Sequence, residues 1–122
     1  MMNEDRNKIV SFRGLDVFQE EDGSLRWNGD VDGSPAEKVI KFQIGFLILL
    51  DYSSCNKSLF KNVVYISGDG EEIWKAELPN GVPDAYVSVS VIDKKIIAHS
   101  WSGHKVEISP KNGRIERRSI TK

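Results

Sequence analysis

The sequence predicts a mainly β protein, built from antiparallel hairpins that form a curved sheet or small sandwich. Three observations carry that prediction. Residues 62–109 alternate strand-forming runs with turn signals: Asn62–Gly68, an Asp69-Gly70 turn, Glu72–Leu78, a Pro/Gly loop, Tyr86–Asp93, a Lys94-Lys95 turn, Ile96–Trp101 and Lys105–Ser109. Within them Tyr86–Val91 alternates strictly, with Val87, Val89 and Val91 on one face and Tyr86, Ser88 and Ser90 on the other. The run ends at Pro110-Lys111-Asn112-Gly113, a turn signal followed by one further short strand. About eight to ten short strands are expected in all.

The N-terminal half is read in the same terms. Residues 1–8 are polar and are expected to fray. Ile9–Phe12 is a short strand. Leu15, Val17 and Gln19 alternate with Asp16, Phe18 and Glu20, which suits a strand with one wet face. Asp22-Gly23 is a hairpin signal of type I′, and Leu25–Trp27 is the return strand. Asn28–Ser34 is a loop by composition, with Gly29, Asp30, Asp32 and Gly33. Ser34-Pro35-Ala36-Glu37 has the makings of a helix start, Ser at N-cap, Pro at N1 and Glu at N3. Val39, Ile40, Phe42 and Ile44 are β-formers, however. The reading adopted is a strand at Lys38–Phe42, a turn at Gln43–Gly45 and a buried strand at Phe46–Tyr52, with one short helix near Pro35 left open. The expected core is Val39, Phe42, Phe46, Ile48, Leu50, Val64, Trp74, Val87, Val89, Ile97, Trp101, Val106 and Ile108.

Bulk numbers bound the function. The chain of 122 residues is read as one domain, long enough to fold without metal or disulfide staples. Cys55 is the single cysteine, so no intrachain disulfide is possible, which fits a reducing cytoplasm. The first residues carry no apolar signal region, and the longest apolar run, Ile44–Leu50, is too short to span a bilayer. A net charge of −1 predicts neither membrane attraction nor direct nucleic-acid binding.

Charge is unevenly distributed. Residues 16–32 hold Asp16, Glu20, Glu21, Asp22, Asp30 and Asp32 against Arg26, a local balance of −5. Residues 111–122 hold Lys111, Arg114, Arg117, Arg118 and Lys122 against Glu116, a balance of +4. Two solvated faces in weak mutual attraction is one reading. The sharper one makes the six carboxylates a partner-binding edge.

Residues with chemical potential are few. His99 and His104 lie five apart and, with Asp93, would need further ligands to hold a metal. Cys55 sits in a polar loop with no base at a recognisable spacing. The acidic stretch lacks the alternate-position ligands of a calcium loop. No catalytic residue, metal site or cofactor is therefore assigned. Trp27, Trp74 and Trp101 are read first as core, where each N–H could satisfy a backbone carbonyl, with a partner-facing hot spot and nucleobase stacking as the alternatives.

An internal echo links Asp22-Gly23-x-x-x-Trp27 with Asp69-Gly70-x-x-x-Trp74, and Asn112-Gly113 repeats the turn without the Trp. Val64–Lys75 and Ile96–Gly113 resemble the repeat of quinoprotein-type β-propellers, in which a strand leads through an Asp-Gly turn to a return strand with Trp. The resemblance covers residues 60–115 and implies local β-topology. A closed propeller needs more blades than this chain has room for, and its cofactor site is built by the whole ring, so no cofactor is implied. By type, the chain is similar to small bacterial toxin-immunity proteins: small, cysteine-poor, with an acidic stretch. That likeness implies a cytoplasmic, non-enzymatic protein that neutralises a partner toxin by binding it. A β-repeat scaffold and an enzyme using His99 or His104 are the competing classes.

Overall fold

The computed structural model describes residues 7–54, 60–79 and 84–120. Eleven strands make up almost all of the regular structure there. β1 (Lys8–Phe12), β2 (Leu15–Gln19), β3 (Leu25–Val31), β4 (Ser34–Phe42), β5 (Gly45–Leu50), β6 (Val63–Ser67) and β7 (Glu72–Lys75) form one antiparallel sheet in sequential order. β8 (Tyr86–Ile92), β9 (Lys95–Ser100), β10 (His104–Ile108) and β11 (Ile115–Ile120) form a second. Within each sheet, neighbouring strands are consecutive in the chain.

The apolar run Gly45–Leu50 explains the architecture. All six of its residues are buried, so β5 has core on both faces. Phe46, Ile48 and Leu50 face one cluster with Val10, Phe12, Leu15, Val17, Val31, Val39, Val64 and Ile66. Leu47 and Leu49 face a second with Val63, Tyr65, Trp74, Tyr86, Val89, Ile96, Val106 and Ile108. The seven-stranded sheet therefore curls into a half-barrel over one face of β5 and β6, while the four-stranded sheet covers the other.

The curl brings the two ends of the long sheet together. Arg13, in the β1–β2 turn, pairs with Glu72 of β7 at 3.3 Å. The β6–β7 turn lies on β1, and a Cβ at Gly70 would overlap the Ser11 carbonyl oxygen.

Two buried contacts clamp the sheets to each other. Asn62 is fully buried. Its Nδ2 donates to the Leu50 carbonyl at 2.9 Å and the Tyr86 carbonyl at 2.7 Å, and its Oδ1 accepts the Tyr86 N–H at 2.8 Å. Trp74 packs on Tyr65, ring centroids 5.3 Å apart, and its Nε1 donates to the Pro110 carbonyl at 3.0 Å. The 110–113 turn thus seats on the Trp74 ring. Only a glycine fits at Gly113, where a Cβ would stand 2.6 Å from Trp74 Cε3. The sequence echo has a structural counterpart here, since Trp27 likewise donates Nε1 outside its own hairpin, to Ala36 at 3.0 Å.

Several expectations need correcting. No helix forms at Pro35; the residue lies in β4, opposite Asp30, near the end of the β3–β4 ladder, where a missing N–H is tolerated. Asn28–Ser34 is no loop: β3 continues to Val31 and β4 begins at Ser34, around Asp32-Gly33. The expected fraying of residues 1–8 lies outside the described residues up to Arg6, and Lys8 already pairs with Phe18. Phe18 is buried on the supposedly wet face of β2, beneath the Arg26 guanidinium. The Asp22-Gly23 and Asp69-Gly70 turns are not type I′, because only the glycines have positive φ, +90° and +87°. The pattern is a turn ending in a left-handed glycine. Both central residues are positive instead at Asp93 and Lys94, φ 51° and 65°. Val87 and Ile97 are only half-buried, since a bulge between Tyr86 and Ser88 breaks the alternation and β9 buries Ile96 and Ala98. Trp101 is not core: it stands 65% exposed in the β9–β10 turn.

Candidate partner-binding surface

The six acidic residues do not form one edge. β2 and β3 run antiparallel, from the rung Leu15↔Gly29 to the rung Gln19↔Leu25. Those rungs are about 13 Å apart at the usual rise per residue. Glu20, Glu21 and Asp22 sit at the β2–β3 turn. Asp30 and Asp32 sit at the far end, beside the β1–β2 turn, and Asp16 lies near them opposite Asn28.

Cations temper three of these six charges. Asp16 accepts the Ser11 hydroxyl at 2.6 Å and faces Lys8 at 3.9 Å. Glu20 takes Arg26 Nε at 2.7 Å, while Arg26 also stacks over Phe18, 4.2 Å from its centroid. Asp32 faces Arg13 at 3.4 Å. Among the described residues Glu21, Asp22 and Asp30 have no ion-pair partner, and no ion pair joins the acidic stretch to the basic one.

The β2–β3 tip is the best-formed of the two acidic ends. Asp22 Oδ1 accepts both the N–H and the hydroxyl of Ser24, at 2.9 and 2.6 Å. Those bonds hold its carboxyl below the usual carboxylate range. Glu20 N–H and the Ser24 carbonyl close the hairpin at 2.9 Å. Beside the tip lies a surface depression of about 400 Å³, lined by Asn7, Lys8, Ile9, Gln19, Glu20, Glu21 and Gly23. Ile9 is 39% exposed in it, an apolar contact next to carboxylates. The tip is thus a rigid projection carrying negative charge above a shallow seat.

The other sequence candidates separate. His99 Nδ1 lies 3.2 Å from the Ser88 hydroxyl, and His104 Nδ1 lies 3.0 Å from that of Ser102. Asp93 is in the turn at the opposite end of β9. No group of three or more His, Cys, Asp or Glu residues stands at metal-binding distance among the described residues. Cys55 lies outside the described residues.

The sequence reading ended one strand at Trp101 and began the next at Lys105, but missed the polar cluster that fixes the turn between them. Buried Asp84 accepts the Ser102 hydroxyl at 2.6 Å and its N–H at 3.2 Å. Trp101 N–H reaches the Ala85 carbonyl at 2.8 Å, and His104 N–H the Ser100 hydroxyl at 3.1 Å. Ser102 Oγ stands between two partners, Asp84 Oδ2 at 2.6 Å, to which its hydroxyl donates, and His104 Nδ1 at 3.0 Å. The cluster fixes the turn that holds Trp101 out to solvent. Ser102-Gly103 marks the turn in the sequence, but nothing there pairs it with Asp84.

Together these features define a class: a β-scaffold of two antiparallel sheets that presents hairpin tips on a clamped core. A family profile described as "Domain of unknown function (DUF7957)" matches residues 31–120, and the chain belongs to that family. No curated protein matches the chain. No helix among the described residues is long and apolar enough to cross a membrane.

Proposed function

We propose that this protein is a non-enzymatic, cytoplasmic protein-binding module that recognises a cationic surface on a protein partner through the β2–β3 tip. A bacterial toxin neutralised by an immunity or antitoxin type of protein is the partner that suits it best. The observation that carries the reading is the tip itself. Glu21 and Asp22 are exposed and without ion-pair partners among the described residues, and hydrogen bonds fix the turn that bears them. Fixed charges lose little entropy on binding and steer a partner of opposite sign. The apolar anchor such an interface needs is at hand in Ile9. Asp16, Asp30 and Asp32 belong to the far end and would add only long-range attraction. Hydrogen exchange with a co-purified partner tests the reading. Amides of residues 20–24 should slow on binding, and a footprint that omits them refutes it.

A second reading is favoured by Trp101. A large aromatic held exposed by a hydrogen-bonded turn suits an interaction scaffold, the alternative class. Protection of residues 100–104 without residues 20–24 would select it.

A further inference from the structure

Four strand edges exist in the two sheets, those of β1, β7, β8 and β11. An uncovered edge is a template for another chain, and proteins ordinarily block it. Three of these four meet another part of the chain at the edge or just beside it. β1 has the β6–β7 turn against Ser11. Past the end of β7, the Glu77 N–H donates to the Gly113 carbonyl at 2.8 Å, and Trp74 holds Pro110. β8 has Asn62 on both polar groups of Tyr86, and Lys38 Nζ donates to the Val89 carbonyl at 3.2 Å.

β11 differs. Its first amide, Ile115 N–H, is taken by Glu77 Oε1 at 2.9 Å. Beyond that, no hydrogen bond from the backbone of Glu116–Ser119 reaches any element other than β10 among the described residues. A strand paired on one side leaves alternate N–H and C=O groups pointing outward. The edge is also basic. Arg114 and Arg117 are exposed, and neither guanidinium has a partner among the described residues; Arg118 is exposed but donates to the Pro79 carbonyl. Glu116 is the one carboxylate of β11.

We infer that the outer edge of β11 binds an extended acidic segment of a protein partner by strand addition. Main-chain bonds to the open edge would give affinity, and Arg114 and Arg117 would select the charge. The same two arginines keep a second copy from pairing at this edge, since like charges facing across a ladder repel. This surface is separate from the acidic tip and does not rest on it.

The test uses the whole chain, labelled with nitrogen-15, and an eight-residue peptide of alternating glutamate and valine. Amide shifts and slowed exchange should be confined to residues 115–120. The double variant Arg114→Ser/Arg117→Ser should weaken the peptide by roughly tenfold, because it removes the selecting charge and leaves the ladder. Shifts centred on β1 or β7 would overturn the inference. So would a lysine–valine peptide binding as tightly, or dimerisation through β11 without peptide.

Discussion

The contact between Trp74 and the 110–113 turn can be tested by a mutant cycle. Trp74 is 6% exposed, stacks on Tyr65 and holds the Pro110 carbonyl. Trp74→Ala removes all three and leaves a cavity between the sheets. The cost should be about 3–5 kcal/mol, as for other buried large aromatics. At this chain length that is a fall of roughly 10–20 °C in Tm. Trp74→Phe keeps the ring in place and loses the N–H, so it should cost about 1–3 kcal/mol, for the ring volume and the orphaned carbonyl. Gly113→Ala adds a diagnostic. Its Cβ would stand 2.6 Å from Trp74 Cε3, and its φ is +77°. In the wild type it should lose both the steric and the left-handed terms. In the Trp74→Ala background the clash with the ring is gone, and the left-handed term of about 1–2 kcal/mol remains together with the 3.1 Å approach of the Cβ to the Lys75 carbonyl oxygen. The two mutations should therefore be less than additive, coupled by about 1 kcal/mol or more. The assay is urea unfolding followed by circular dichroism. Strict additivity, or a Trp74→Ala protein melting within about 2 °C of wild type, would refute the clamp.

Three further outcomes follow from the packing. Gly70→Ala should destabilise by more than the usual left-handed penalty of about 1–2 kcal/mol, because its Cβ also overlaps the Ser11 carbonyl; a chemical-denaturation cost below that penalty would mean β1 does not lie against the turn. Asn62→Ala should cost about 3 kcal/mol or more, leaving Tyr86 N–H, Tyr86 C=O and Leu50 C=O without their buried partner, and a melting curve like the wild type's would contradict that. Burial, then the charges of Asp84 and Glu77, push the Tyr86 hydroxyl well above its ordinary value of 10.0. A raised pKa contributes stability that is complete below about pH 10 and is lost as pH rises toward the folded value. Tyr86→Phe should therefore flatten the alkaline limb of the stability–pH curve, and an unchanged limb would show that Tyr86 does not ionise on unfolding.

Much of the fold was legible because β-structure writes its turns and its period into short stretches. The apolar residues Phe46–Leu50 marked a buried strand, read at Phe46–Tyr52. What they could not show was that both faces were covered by different sheets, since that depends on the curl of β1–β4. Pro35 misled because the residues before a helix and those at a ladder's end share the same tolerance for a missing N–H. Trp101 misled by parity. The expected strand ran one residue too far, and the turn that begins after Ser100 turns the side chain outward. The acidic stretch was contiguous in sequence, yet chain reversal at Asp22-Gly23 put its two halves at opposite ends of β3. Ion pairing to Lys8, Arg13 and Arg26 was likewise invisible without register.

The association rate of the protein with its co-purified partner, measured against ionic strength, tests the proposed surface most directly. The variants must respect the turn, so Glu21→Lys is combined with Asp22→Asn, which keeps an acceptor for Ser24, and Glu20 is left with Arg26. The account predicts slower association for the variant, a shallower dependence on salt, and an unchanged circular dichroism spectrum. Equal rates and equal salt slopes would show that Glu21 and Asp22 are a solvated turn and no part of an interface.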